Sequence, residues 1–404
     1  MSQNKKILML TSFVSGASFS IILPLIAPLV RELQLSELQG AAFVSASALM
    51  TAISAIFIAK QQGKWSIYAL LSTGFIGMSL STLLFNGVLT YSLNYTLPAI
   101  ILFSLLLLAR SVMGMSTALP QIALQTFVMT HEKDEKRRAQ EMAKLGAIAS
   151  IGFVVGPFFT AVFLKWGMVA PLWLSLICFV LLTLLILSKF EREPIVQVDK
   201  EIEEKLTDTS GFKPQKAMVW FFLGISLYMV MISVSLTAGF YLQDTFKLAS
   251  SETAKYFTQC SLLVGVVLAI TQISITKLFN WSLKTLVSVG LIAMLIGLGI
   301  SVTAQSILVF QSAYIFYGVA FACLIPAFTT GAAESTTQQY QEKMAGLCTA
   351  IQAGSCVVAP LLTSAIYKYD HHYPYYFLIL VFVLLGLSLI AHYVKKDDQT
   401  LKTA

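Results

Sequence analysis

Residues 144–166, KLGAIASIGFVVGPFFTAVFLKW, lie over residues 347–369, LCTAIQAGSCVVAPLLTSAIYKY, when the sequence is shifted by 203 positions. Ala147/Ala350, Ile148/Ile351, Val154/Val357, Val155/Val358, Pro157/Pro360, Thr160/Thr363 and Lys165/Lys368 coincide. Apolar helices match by chance easily, but a shared V-V-x-P-x-x-T core closed by a shared lysine is more than composition. Each stretch contains a charge-free run near the ~20 residues needed to cross hydrocarbon as a helix. The chain therefore carries one kind of membrane span twice, half a sequence apart.

Composition agrees. The 404 residues are 57% hydrophobic and only 12% charged, which excludes a water-soluble domain of this length. Reading for charge-free stretches gives twelve spans, at 7–30, 40–59, 67–89, 97–122, 145–164, 168–188, 217–242, 257–276, 285–304, 307–328, 344–367 and 373–394. With both termini cytoplasmic, 21 of the 27 Lys and Arg fall in inner segments and 5 in outer ones. That asymmetry orients the chain by the positive-inside rule. It also accounts for the net charge of +7 without a nucleic-acid partner. The first span follows Lys5 and Lys6, runs too long for a signal-peptide core and has no clean cleavage site, so it reads as a retained helix.

The fold class expected is an all-α membrane protein of twelve transmembrane helices in two six-helix pseudo-repeats. Residues 1–188 form the first bundle, 189–216 a mixed-charge cytoplasmic linker and 217–404 the second bundle. An even-numbered unit repeated in one orientation gives a pseudo-two-fold axis along the membrane normal. Transporters that rock two bundles about a central site are built this way.

The remaining charge is Arg110, the one formally charged side chain inside the twelve spans. A guanidinium at bilayer depth costs ~2.5–3.5 kcal/mol on insertion scales and faces a bundle interior or a watery cavity. At 100° per residue, Gly114, Thr117 and Gln121 lie within about 40° of Arg110 on one helix face. This predicts a polar stripe on a cavity wall.

Three local patterns resemble the major facilitator superfamily, and the likeness runs over essentially the whole chain. The fourth span, LLARSVMGMSTALPQ, is similar to that family's R-x-x-x-G element, carried here by Arg110 and Gly114. The fifth, GFVVGPFFTA, resembles the G-x-x-x-G-P-x-x-G-G element of its exporters, especially drug:proton antiporters; Thr160 and Ala161 stand for the last two glycines. Gly152 and Gly156 permit close helix approach, and Pro157 leaves a carbonyl free. Between the second and third spans, AKQQGKWSIY keeps Gly63 and Lys64 of a gating loop but has Lys60 and Gln61 where the family has Asp and Arg. The resemblance implies alternating access, export and proton antiport, with helices one, four, seven and ten lining the cavity. Their polar and aromatic residues, Ser15, Ser18, Arg110, Thr117, Gln121, Tyr228, Ser235, Gln311, Tyr314 and Tyr317, are then the substrate-binding candidates. Gly114, Gly152, Gly156, Pro157, Gly63 and Lys64 are the conformational ones.

No G-x-x-x-x-G-K-[ST] occurs, so this chain alone is not a nucleotide-driven pump. No acid lies within a span; Glu32, Asp244 and Glu334 stand just beyond spans and read as solvated loop charges. A cavity with an arginine and no acid favours an anion, such as a carboxylate siderophore, over a lipophilic cation. An anionic metabolite therefore competes with a hydrophobic drug-like compound as substrate. A non-transporting membrane receptor or sensor is the rival of another class, disfavoured because the linker and tails hold no signalling domain. No catalytic arrangement points to an enzyme. The five cysteines sit in apolar spans, and His131, His371, His372 and His392 are scattered over loops and a helix end, which argues against a metal site. The expected partners are a small molecule, protons and the lipid bilayer, with no cofactor. The expected form is a monomer in the inner (plasma) membrane, multi-pass, with both termini cytoplasmic.

Overall fold

A computed structural model describes residues 3–59, 61, 64–131, 135–192, 217–277, 281–336 and 340–403. Among them, twelve helices are long and apolar enough to cross a membrane. In chain order they are α1 (Gln3–Glu32), α2 (Glu37–Ala59), α3 (Ile67–Asn94), α4 (Ala99–His131), α5 (Glu135–Phe163) and α6 (Ala170–Lys189). Then follow α7 (Met218–Phe246), α8 (Ser250–Lys277), α9 (Leu283–Thr303), α10 (Ile307–Glu334), α11 (Gln341–Tyr367) and α12 (Tyr373–Thr403). Gly63 and residues 193–216 of the linker lie outside the described residues.

Serine sets several starts. The side chains of Ser66, Ser282 and Ser306 accept from the backbone N–H groups of Ala69, Thr285 and Val309, satisfying donors that the first helical turn leaves over. Before α2, the Ser36 N–H donates to Gln39 Oε1 while the Gln39 N–H donates to Ser36 Oγ, a reciprocal capping box. Gln34 and Lys247, at φ 55° and 54°, turn the chain out of α1 and α7 in the left-handed region.

Several helices outrun the apolar spans read from the sequence: α8 begins at Ser250, α10 runs to Glu334 and α12 to Thr403. The basic stretch 130–144, expected as a loop, is mostly helix: α4 runs on to His131 and α5 begins at Glu135. Its Glu, Lys, Arg, Gln and Ala are strong helix formers, so the helix outlasts the apolar run. There Glu141 accepts from Lys144 at 2.8 Å and pairs with Lys5 of α1 at 2.7 Å. Hydrogen bonds from Lys144, then Lys5, hold its carboxyl below the usual carboxylate range. The α1–α5 tie is thus present above that range and weakens only as pH falls through the lowered value.

The helices gather into two compact units. The first holds α1–α6, with Leu248–Thr258 grouped beside them; the second holds α7, α8 from Gln259 onward and α9–α12. Within the first, α1 packs on α5 and α6, and α3 on α4 and α6. Within the second, α7 packs on α11 and α12, and α9 on α10 and α12. The positions are the same in each six, so the repeat seen in the sequence is also a repeat of packing. Thr160 and Thr363, paired by the 203-residue shift, are both fully buried. Thr160 Oγ1 donates to Ile21 O of α1 at 3.1 Å, and Thr363 Oγ1 to Ala359 O at 2.7 Å.

In the first unit Asn4 closes the bundle. Its Nδ2 donates to Glu191 O at 3.3 Å while its Oδ1 accepts from Glu191 N at 3.0 Å, fastening the chain after α6 to the start of α1.

Candidate functional site

Arg110 stands 11 residues past Ala99 and 21 before His131, in the first half of α4. Its guanidinium carbon lies 4.3 Å from the centre of the Phe85 ring on α3, within cation–π range. Beside it is a cavity of about 30 Å³ inside the first unit, whose polar lining is Ser18, Ser81, Thr82, Asn86, Ser175 and Arg110 itself. The volume suits one or two water molecules and is far below the several hundred Å³ of an organic ligand site.

The polar groups around it are only partly satisfied. Asn86 Nδ2 donates to Leu172 O at 2.9 Å, joining α3 to the start of α6, while among the described residues its buried Oδ1 has no donor. Ser81 and Thr82 both direct their hydroxyls at Met113 Sδ, at 3.3 and 3.8 Å, and Ser81 also donates to Met78 O. Among the described residues no carboxylate pairs with Arg110. A half-buried guanidinium with no acid beside it among the described residues raises the free energy of its site unless a counter-charge arrives.

Ser18, a candidate from the first span, lines the cavity with Arg110, whereas Thr117 and Gln121 of the expected stripe do not. Thr117 Oγ1 donates back to Met113 O at 2.7 Å, and Gln121 is exposed. Ser15 is half-buried on α1. Gly114 serves packing: a Cβ there would fall 2.1 Å from Ser47 O of α2, and Thr51 of α2 donates to Gly114 O at 2.9 Å. Asn86, Ser81, Thr82 and Ser175 were not singled out from sequence. Asn86 is the only amide side chain in the third span, and that was the available signal.

The glycines of the fifth span form a seam. A Cβ on Gly152 would lie 2.2 Å from Phe13 O, and one on Gly156 1.9 Å from Ser20 Oγ and 2.6 Å from Ala17 O. From the other side, a Cβ on Gly16 would lie 2.1 Å from Ala149 O. Three glycines thus bring the α1 and α5 backbones together, with Pro157 buried one residue beyond the seam.

In the second unit the candidates are mostly packed. Tyr314 and Tyr317 on α10 are buried edge to face at 5.3 Å, and the Tyr317 hydroxyl meets Ser301 Oγ at 2.7 Å. Tyr228 on α7 stands edge-on to Phe328 at 6.1 Å. Ser235 Oγ donates to Met231 O, and Gln311 Nε2 donates to Gln259 Oε1 at 2.8 Å. Lys64 is exposed. Asp244, expected as a solvated loop charge, sits instead in the last turn of α7, half-buried, where its Oδ2 accepts from Tyr367 Oη at 2.6 Å.

A family model described as Major Facilitator Superfamily matches residues 8–360. Comparison with curated protein sequences finds no match. Among solved structures, a mutant of the nucleoside transporter NupG is similar at TM-score 0.75 and 11% identity, covering 96% of this chain and 99% of that one. A bacterial homologue of the human lysosomal transporter Spinster, inward-facing and unoccupied, gives 0.72 and 14%, covering 91% and 84%. A bacterial homologue of the iron transporter ferroportin, inward-facing, gives 0.69 and 14%, covering 97% and 99%. At such identities the likeness is one of fold.

Proposed function

This chain belongs to the Major Facilitator Superfamily, and from that premise we propose that it is a secondary transporter that exports a small organic compound by alternating access, driven by proton antiport. The observation that carries export is the α1–α5 seam: the exporter-like G-x-x-x-G-P spacing is used, glycine by glycine, for backbone contact. Residues 1–188 and 217–404 act as the two bundles, with 189–216 and both termini in the cytoplasm of a cell whose inner membrane the protein spans. Arg110, Ser18, Thr117, Gln121, Ser15, Tyr228, Ser235, Gln311, Tyr314 and Tyr317 are the candidate substrate-binding groups. Gly63 and Lys64 belong to the gating segment.

A second reading concerns substrate charge. The absence of a carboxylate partner for Arg110 among the described residues favours an anionic metabolite, a carboxylate siderophore being the type, over a lipophilic cation.

The test is a comparison of culture medium and cell extract between cells with and without this protein. An organic compound should be depleted outside and accumulated inside when the protein is removed, and restored by the intact chain. No change in any compound, or depletion inside the cells instead, would overturn export.

A further inference from the structure

We propose that Asp370, His371 and His372 form a binding site for a first-row divalent transition-metal ion, with Zn²⁺ as the reference member, at the turn between α11 and α12. The proposal is independent of the transport reading.

The three residues offer one ligand atom each, all within 4.8 Å of one another. The turn makes this arrangement. Tyr373 N–H donates to Asp370 O at 3.2 Å, closing a reverse turn, and His372 N–H donates to Asp370 Oδ1 at 2.7 Å. The carboxylate is thereby aimed across the turn, where Oδ1 lies 3.1 Å from His372 Nδ1. The imidazoles of His371 and His372 sit 4.1 Å apart, centre to centre. For bonds of ~2.0–2.1 Å to nitrogen and oxygen, tetrahedral geometry sets neighbouring ligand atoms about 3.3 Å apart. The Asp370–His372 pair, at 3.1 Å, is close to that separation, and the His371 ligand atom lies within 4.8 Å of both.

The rings do not hang in solvent. Tyr241 of α7, fully buried, packs against both, at 5.6 Å from His371 and 5.4 Å from His372. Tyr375 in turn stands 5.1 Å from Tyr241. Both histidines and Asp370 are partly accessible, so an ion has a way in and a water a place in the fourth position. One turn along α7 from Tyr241, Asp244 is held by Tyr367 and adds negative charge nearby.

Two imidazoles and one carboxylate select the metal class. Mg²⁺ and Ca²⁺ take oxygen ligands, whereas Zn²⁺, Ni²⁺ and Cu²⁺ accept this nitrogen-rich set. The histidines were read from sequence as scattered; His131 and His392 are, but this pair is not.

The experiment is calorimetric titration of ZnCl₂ into the full chain, purified in detergent through an affinity tag without histidines. About one zinc should bind per chain. Replacing both His371→Ala and His372→Ala should weaken binding about tenfold or more, as should His372→Gln alone, the isosteric change to use if the double variant fails to fold. His131→Ala should bind like the intact chain, and Mg²⁺ should not compete. Co²⁺ should give visible d–d absorption that the double variant loses. Absence of micromolar zinc binding to the intact chain, or unaltered affinity in folded His372→Gln and the double variant, would overturn the site.

Discussion

Gly152→Ala is expected to impair transport severely, and Gly156→Leu to abolish it. At Gly152 the added carbon meets the backbone oxygen Phe13 O at 2.2 Å and Ala17 N at 2.9 Å, so no rotamer change relieves it. α1 and α5 must separate along their most extensive line of contact. Overpacking of this kind costs roughly 1–3 kcal/mol even for one carbon. At Gly156 the first obstacle is Ser20 Oγ, which can rotate away from its bond to Ala17 O; the second, Ala17 O itself at 2.6 Å, cannot. Leucine there adds a branched side chain to a seam that has no room for its first carbon. Efflux assays with membrane-fraction blots check the outcome. Normal efflux by well-inserted Gly152→Ala and Gly156→Leu would mean that the seam tolerates separation and is not needed for transport. Gly146, Gly354 and Gly386 have open space where a Cβ would stand, so alanine at these positions serves as the control.

The second large effect concerns Arg110. Arg110→Ala is expected to reduce transport by tenfold or more while leaving thermal stability unchanged or raised. The two halves of this expectation come from one observation: the guanidinium is inside the unit, with Phe85 beneath it and no carboxylate beside it among the described residues. Removing one partner of a buried ion pair is strongly destabilising, but removing an unpaired charge is not. Loss of transport without loss of melting temperature therefore marks a functional charge. Arg110→Lys should keep part of the activity, because an ammonium retains the charge but loses the planar fork and its stacking on Phe85. If the substrate is an anion held by Arg110, purified Arg110→Ala should also lose affinity for it. Unchanged affinity together with lost transport would assign the residue to coupling, which fits the small size of the present cavity. A sharp fall in melting temperature with Arg110→Ala would make the arginine structural and contradict both.

The fold was legible because its signals are local. Charge-free runs gave the spans and the 203-residue shift gave the repeat, which the packing of α1 on α5 and α7 on α11 repeats in turn. A count of apolar runs cannot see the helical stretch Glu135–Lys144, because charge ends a membrane span without ending the helix. Arg110 was legible as the one charge in a span, but its neighbours were not. The 100° rule placed Thr117 and Gln121 on its face, yet side chains in a helix lean toward the N-terminus. A long guanidinium therefore reaches Phe85 and the Asn86 cavity on α3, and leaves the residues a turn or more ahead behind it. That α3 and α6 would stand there is a tertiary fact with no trace in the α4 sequence. The Asp370–His372 cluster was hidden differently. Consecutive residues do not share a face in a regular helix, and only the turn closed by Tyr373 brings these three together.

The most direct measurement uses everted inner-membrane vesicles, whose cytoplasmic face is outside, supplied externally with the compound found by comparing culture media. Energised to be acid inside, vesicles containing the intact chain should accumulate that compound against its gradient. A protonophore should collapse the accumulation, and Arg110→Ala vesicles should not build it up. In the same vesicles, a cysteine placed within 189–216 should label from the outside. Accumulation that survives the protonophore would contradict proton antiport, and uptake confined to right-side-out vesicles would contradict export itself.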